Sequence, residues 1–325
     1  MSSTRKTVLL VTHSKDSFTV DRVAEALERH RVRPFRLNTD RFPRQITLSG
    51  RFGAEASSFK VQDGRDGFTS DEVSAVWLRR LAEPAPDDKL DPKFRPVCVS
   101  ESVAAVLGLL NVLHRARCID PLSRTREAES KPRQLFLAQR EGLQIPATLI
   151  TNDPAQAQEF FQEHRGAVVT KLIHHPPVSL ARAGQVVPTS EVKAADLADS
   201  KVFRHSPALF QEWIPKGRDL RAVFVDGRFF VGSIDANDSP RAPLDWGRAD
   251  PAEYQWKKDH LPDDVAHKLT KLMATLGLLY GAIDLIRTPD DRYLFLEVNS
   301  GGEWGMLERD LGHPISTAIA DALVR

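Results

Sequence analysis

The stretch "RYLFLEVNSGGEW", from Arg292 to Trp304, decides how this chain reads. It is an apolar strand that ends in two polar residues, Glu297 and Asn299, and then opens into Gly301 and Gly302. In a strand, residues i and i+2 project to the same side. Glu297 and Asn299 therefore aim at one place while Val298 faces the other way. One reading is a strand end capped by polar residues beside a turn. The other is a pair of oxygen ligands for Mg2+, which takes carboxylate and carbonyl oxygens together with phosphates.

The segment just upstream weighs on that choice. "YGAIDLIRT" is a second strand, joined to the first across "PDD", and it carries Asp284 amid apolar residues. Antiparallel pairing through so short a turn puts Asp284 beside Glu297 or Asn299. Two carboxylates side by side repel unless a cation lies between them, which favours the metal reading. Gly301 and Gly302 would let the backbone approach a phosphate closely.

Composition sets the outer limits. The 325 residues suffice for two or three domains, and 41% hydrophobic with 27% charged residues suits a globular chain with real cores. A net charge of +1 gives no global pull towards nucleic acid or a membrane. Two cysteines, Cys98 and Cys118, exclude a disulfide framework and lack metal-site spacing. "MSSTRKTVLLVTH" has a short apolar core that reads as a first strand and not as a signal peptide. The longest apolar run, Val103 to Leu113, is too short to span a bilayer. A cytoplasmic protein is expected.

Along the chain, "KTVLLVTHS", a helical stretch and "RPFRLNTDRF" form a βαβ opening. "QITLSGRF" with "SSFKVQD" reads as a hairpin, "SAVWLRR" as a strand and "SESVAAVLGLLNVLHRA" as a buried helix. This first α/β domain is placed at residues 1–120. The next helix begins at Lys131 with Pro132 in its first turn, where proline is tolerated. Further strands are "PATLITND", "AVVTKLI" and "ALFQEWIP", followed by a hairpin, "DLRAVFVDGRFFVGSIDA", turning at Asp226-Gly227. These give a central subdomain at 121–209 and a C-terminal one at 210–325, the latter holding the Asp284 and Glu297 strands.

Several side chains could carry chemistry. Lys131 opens a helix and Lys171 lies within an apolar strand, where a lysine is costly unless it meets an anion or snorkels at an edge. Together they could clamp nucleotide phosphates. In "FQEWIP", Gln211, Glu212, Trp213 and Ile214 could form a hinge that reads an adenine edge between apolar walls, or be an ordinary edge strand. Asp219 and Arg221 share a face. A carboxylate there can hold ribose and an arginine can stabilise a transferring phosphoryl group, or the two can make a cross-strand ion pair. The adjacent His174 and His175 lack zinc-pair spacing. No nucleophile elbow or P-loop occurs.

Taken in order, a helix lysine, a strand lysine, a Gln-Glu hinge, Asp-Leu-Arg, an Asp strand and Glu-x-Asn resemble the ATP-grasp superfamily. Within it the chain is similar to the microviridin-ligase branch, the macrocyclases that mature ribosomal peptides called graspetides. "SKPRQLFLAQREGLQIPATLITND", "FQEWIPKGRDLRAVFVDGRFFVGSIDA", "LDWGRAD", "LGLLYGAIDLI" and "YLFLEVNSGGEWGMLE" carry that resemblance from Ser130 onward. It implies an ATP-grasp α+β fold behind an N-terminal pre-ATP-grasp domain, ATP and Mg2+ as cofactors, and a homodimer. By that resemblance Lys131 and Lys171 contact phosphates, Gln211, Glu212, Trp213 and Ile214 face adenine, and Asp219 holds ribose. Asp284, Glu297 and Asn299 bind Mg2+, and Arg221 stabilises an acyl phosphate.

"NSGGEW" departs from the branch pattern and places Ser300 and Glu303 where substrate contacts differ. The implied reaction activates Asp or Glu side chains of a precursor peptide and closes esters to Ser or Thr, or amides to Lys. The insertion from His174 to His205 is a place for leader docking or a lid, with a hairpin turning at Ala183-Gly184 and a helix capped at Ser190. The alternatives are a ligase that adds an amino acid to a carboxylate and an inactive nucleotide-binding regulator.

Overall fold

The computed structural model describes residues 6–54, 57–113, 115–173, 189–199, 201–235 and 255–325. The readings of His174, His175, the Ala183-Gly184 turn and "LDWGRAD" lie outside these residues. The chain forms two compact units, Met1–Leu122 with Pro314–Arg325, and Ser123–His313.

The first unit is built on β1 (Thr7–Thr12), α1 (Phe18–Arg29), β2 (Arg33–Asn38), β3 (Ile46–Phe52), β4 (Ser57–Asp63), β5 (Asp66–Thr69), β6 (Val73–Leu78), α2 (Arg95–Val112) and β7 (Arg117–Ile119). Its main sheet runs β2-β1-β6-β7 with parallel pairing throughout. Every residue of β1 is buried, as a central parallel strand covered on both faces requires. Leu9 and Val11 join Val76, Val106, Leu109 and residues of the antiparallel β3-β4-β5 sheet in one core.

The helix expected to be buried is not buried all round. In α2 only Ser102, Val106 and Leu109 are buried, while Val97 is 62% exposed. Among the described residues it is the one helix long and apolar enough, by length and composition, to cross a membrane.

The second unit opens with α3 (Leu122–Ala128) and α4 (Lys131–Arg140), then β8 (Thr148–Thr151), α5 (Pro154–Glu163), β9 (Val168–Lys171), β10 (Ser190–Glu191) and β11 (Ala208–Glu212). The four strands form one antiparallel sheet, β10-β9-β11-β8, whose core joins Ala157 and Phe160 of α5 to Val168, Leu197, Phe203 and Phe210. The helix expected to start at Ser190 is instead the strand β10, followed by a single 3-10 turn at Ala194–Leu197.

A second antiparallel sheet follows, from β12 (Arg218–Val225), β13 (Arg228–Asp235), β14 (Lys257–Asp259), β15 (Tyr280–Arg287) and β16 (Tyr293–Asn299), in the order β14-β13-β12-β15-β16. Between β14 and β15 lies α6 (Asp263–Leu276), and after β16 comes α7 (Gly305–Leu311). The β12-β13 hairpin turns at Asp226 and Gly227 with φ of 45° and 89°, the left-handed pair such a two-residue turn needs.

Alternation divides this sheet. Leu220, Ala222 and Phe224 of β12, Ile283 and Leu285 of β15, and Phe295 and Val298 of β16 pack with Leu135 and Ala138 of α4 and Leu269, Leu272 and Met273 of α6. Each fully buried side chain of this size stabilises the fold by about 1.5–3 kcal/mol. The intervening residues Asp219, Arg221, Asp284, Glu297 and Asn299 consequently share the opposite face.

Ser123–His313 is one compact unit carrying both antiparallel sheets, and the C-terminal segment is part of the first unit. The last helix, α8 (Ile315–Val324), belongs to the first unit. There Asp321 Oδ1 meets His30 Nε2 at 3.0 Å, and Arg117 Nε donates to Ala322 O. Ile315, Ala318, Ile319, Ala322 and Leu323 are all buried, so the helix is apolar around most of its girth.

Candidate active site

Register brings the polar residues of three strands together. Asp284 of β15 pairs directly with Glu297 of β16, and Arg221 of β12 pairs directly with Asp284. Arg221, Asp284 and Glu297 therefore form a row across three adjacent strands. An irregularity between Asp284 and Leu285 offsets the pairing by one residue, because Leu285 faces Phe295. Bulges of this kind re-aim side chains beside functional sites. Here it keeps Val298 and Phe295 in the core while Glu297 and Asn299 stay on the polar face.

The two carboxylates are held by protein groups. Arg221 Nη1 lies 3.2 Å from Asp284, and Lys131 Nζ lies 2.8 Å from Glu297 Oε2. Asn299 Nδ2 bridges the pair, donating to Asp284 Oδ2 at 3.1 Å and Glu297 Oε1 at 3.2 Å. All are mostly buried, with side-chain exposures from 7% to 19% for the four charged groups. To ligate a cation, Asn299 must turn its amide so that the oxygen replaces the nitrogen.

Lys171 ends β9 and completes the constellation. Burial, with the neighbouring charges of Lys131 and Lys216, outweighs the opposing pull of Glu297 and Asp284 and lowers its pKa to about 8. An ammonium held this close to neutrality gains most when an anion arrives.

The hinge residues divide in their parts. Gln211 is buried and its Nε2 donates to Thr148 Oγ1 at 2.9 Å, a cross-strand bond that ties β11 to β8 on the face of the sheet that carries Lys171. Glu212 Oε2 accepts from Ala147 N at 3.3 Å, and Trp213 N donates to Ala167 O at 2.9 Å. Trp213 is 37% exposed, whereas Ile214 is buried against Ile286 and Leu294. Among the described residues the Ile214 N–H meets no acceptor, and it lies next to this small apolar floor.

Asp219 is 5% exposed, and both of its oxygens lie 3.0 Å from Lys216 Nζ. Lys216 was not singled out from sequence. Its signal was a basic residue between Pro215 and Gly217, which reads as loop until the fold brings it to Asp219. Four cations, Lys131, Lys171, Lys216 and Arg221, thus stand against three carboxylates, Asp219, Asp284 and Glu297. The excess positive charge in a partly buried setting suits a polyanion.

Two features of "NSGGEW" turn out to be structural. Glu303 Oε1 accepts from Trp304 N at 3.1 Å and Gly305 N at 2.9 Å, so it caps α7. A Cβ at Gly302 would lie 2.3 Å from the Ala282 Cβ, so that glycine is required by packing on β15. Ser300 Oγ contacts Glu129 Oε1 at 3.4 Å. Elsewhere, Arg204 and His205 are exposed. Burial pushes the Cys118 thiol up to about 12, which leaves it a poor nucleophile.

No cluster of three or more His, Cys, Asp and Glu ligands occurs among the described residues. The donors that converge are two carboxylates and one amide, all hard oxygens, which suits Mg2+ sharing its shell with phosphate and water.

Comparison with known proteins places the chain in a family. Residues 7–126 match the MvdD pre-ATP-grasp domain, and residues 128–323 match the RimK-like ATP-grasp domain. The structure is similar to the macrocyclase MdnB of Microcystis aeruginosa MRC, with 43% identity, a TM-score of 0.84, and coverage of 98% of this chain and 99% of that one. It is similar to the macrocyclase MdnC of the same organism, solved with the precursor peptide MdnA, at 36% identity, a TM-score of 0.87, and coverage of 98% and 99%. It is also similar to a Chryseobacterium gregarium RiPP-associated ATP-grasp ligase, solved with ADP and a leader and core peptide. That match has 29% identity, a TM-score of 0.89, and coverage of 98% and 96%. No curated protein matches the chain. Both domains recur in order, and a macrocyclase is alike over nearly the whole length. The chain therefore belongs to the ATP-grasp family, among the ATP-dependent ligases that include the ribosomal-peptide macrocyclases.

Proposed function

We propose that this enzyme is a peptide macrocyclase, which activates Asp or Glu side chains of a ribosomal precursor peptide and closes them onto Ser or Thr hydroxyls or a Lys amine. The observation that carries the reading is the row Arg221–Asp284–Glu297 with Lys131, Lys171 and Asn299 around it. That row is a site for phosphates and a hard cation on one face of a sheet. The peptide substrate is supported by MdnC, solved with its precursor, and by the Chryseobacterium ligase, solved with leader and core peptides.

ATP is a substrate here. Lys131 and Lys171 neutralise its phosphates, and Lys171 is held protonated by them. The Ile214 N–H meets the base edge over the floor of Ile286 and Leu294, with Glu212 and Trp213 beside it. Asp219 exchanges Lys216 for the ribose hydroxyls. Asp284, Glu297 and Asn299 hold Mg2+, which supplies further neutralisation of the phosphates. A peptide carboxylate oxygen attacks the γ-phosphorus and ADP leaves. Arg221 stabilises the acyl phosphate so formed. The hydroxyl or amine then attacks the acyl carbon, and inorganic phosphate leaves as the ester or amide forms.

The same proposal includes a homodimer and a cytoplasmic location. The exposed apolar side of α2, with Val97 and Val112, supports the first, and the two free cysteines support the second.

The test uses the enzyme, ATP, Mg2+ and the precursor peptide encoded beside its gene. Peptide mass falling by about 18 Da per ring, matched by ADP, is the expected result for condensation through an activated carboxylate. A gain of one amino acid overturns the macrocyclase reading in favour of an amino-acid-adding ligase. Nucleotide binding without peptide-stimulated ADP release overturns it in favour of a regulator.

A further inference from the structure

Gln134 is a buried amide whose bonds reach the strand that carries Glu297 and Asn299. It lies on α4, one turn after Lys131, and is 2% exposed. Its Oε1 accepts from Val298 N at 2.8 Å, and its Nε2 donates to Val298 O at 2.8 Å and to Ala128 O at 2.6 Å. Val298 is the residue between Glu297 and Asn299.

The reason such a contact is possible lies in the sheet. β16 is the edge strand of β14-β13-β12-β15-β16; on its outer side Phe295 N reaches Gln144 O, and at Val298 no neighbouring strand takes the outward N–H and C=O groups. The primary amide of Gln134 offers one donor and one acceptor in the spacing of a strand backbone, and it takes both groups of Val298. A second bond from the same nitrogen fixes the start of α4 through Ala128, at the end of α3. The amide thereby locks three pieces of chain together. Two of them carry the groups that meet at 2.8 Å, Lys131 Nζ and Glu297 Oε2.

We propose that Gln134 is a positioning residue that sets the register between the phosphate lysine, Lys131, and the cation ligands, Glu297 and Asn299. It touches neither nucleotide nor cation. With both backbone bonds to Val298 in place, Glu297 and Asn299 are presented on the polar face at a fixed rotation of β16. Without them the last residues of β16 are held by β15 on one side alone, and the two ligands lose their common aim. A purely structural role would cost stability alone. A positioning role changes the Mg2+ requirement of nucleotide binding in a protein that is still folded. The inference rests on the ATP and Mg2+ reading of the site.

The experiment is calorimetric titration of ADP into the full-length protein at a series of Mg2+ concentrations, without peptide, for the wild type, Gln134→Leu and Gln134→Glu. A melting curve is recorded for each. For folded Gln134→Leu the Mg2+ concentration giving half-maximal ADP affinity rises by about 10–100-fold, the usual loss when a group supporting metal ligands is removed. Wild-type Mg2+ dependence in that variant overturns the inference.

Gln134→Glu decides the matter if the leucine variant does not fold. A neutral carboxyl can accept from Val298 N and donate to Val298 O as the amide does, whereas a carboxylate can only accept. Burial beside Val298 O and Ala128 O raises the pKa of that carboxyl. Its Mg2+ requirement therefore approaches the wild-type value at pH 6 and departs from it at pH 8.5, relative to the wild type at each pH. A ratio independent of pH overturns the inference. A wild type that binds no ADP with Mg2+ overturns the underlying site reading instead, and so is distinguishable from failure of Gln134 alone.

Discussion

Replacing Glu297 with Gln removes one negative charge from a site that already holds four cations. Glu297 pairs with Lys131 at 2.8 Å and is a counter-charge for Lys171. Breaking a buried ion pair from one side costs about 3–5 kcal/mol. The side chain is 19% exposed, and the new amide still offers an oxygen to Lys131, so about 2 kcal/mol is the expected loss. For a folding unit of the size of Ser123–His313 this lowers Tm by roughly 4–8 °C, read by a thermal melt without nucleotide. Turnover falls on the order of 100-fold or more, the scale of one preorganised electrostatic contact.

The double variant Lys131→Met with Glu297→Gln separates the two effects. Removing the stranded lysine returns about 1 kcal/mol of stability, because residues in direct contact couple by that order. It returns no activity. Glu297→Gln with a wild-type melt and wild-type turnover would refute the reasoning. A double variant no more stable than the sum of its singles would refute the ion pair as the cause.

Three other outcomes follow from the same structure. The folded pKa of Lys171, about 8, lies below the ordinary lysine value of 10.5, so the unfolded chain binds the proton more tightly. Stability then rises with pH between those values, while ADP affinity falls as pH passes 8 and the charge is lost. Titration calorimetry with a flat profile from pH 7 to 9 would contradict the phosphate role. Glu303→Ala removes the cap of α7 and costs about 1 kcal/mol by chemical denaturation; unchanged stability would mean the cap is idle. In the first unit, burial acts to raise the Asp16 carboxyl, but Arg79 and the hydroxyls of Thr12 and Thr19 outweigh it and hold it below the usual range. Its contribution is present above the unfolded value of 3.8 and is lost as pH falls through the lower folded one. The stability gap between Asp16→Asn and wild type therefore narrows as pH falls below 3.8; a gap constant with pH argues against that charge.

Much of the site was legible because strands are short-range objects with a period of two. The spacing Glu297-x-Asn299, the placement of Asp284 across a short turn and the pairing of Asp219 with Arg221 on one face all follow from local geometry. Lys131 at a helix start followed by proline is equally local. What sequence could not decide is which of two partners a buried charge would meet. Asp219 and Arg221 share a face, yet one pairs with Lys216 and the other with Asp284, because β12 lies against β15 and beside the loop after Ile214.

The same boundary holds after β16. Polar and small residues beside a strand end, such as Glu303 and Gly302, can serve a ligand or the packing. Only the fold shows one bonded to the start of α7 and the other fitted against Ala282. The C-terminal helix likewise carries no mark in the sequence of which core it will enter. Its apolar residues fit more than one surface, and the first unit is the one that buries them. Gln134 passed unnoticed for the same reason: a glutamine on an amphipathic helix is ordinary until an edge strand, 164 residues away in the chain, presents it with an unpaired peptide group. By itself the sequence determined periodicity, turn chemistry and the inventory of chemical groups, because each depends on neighbours a few residues apart. The tertiary structure alone decided pairing, burial and charge balance, because these depend on which distant segments share one place.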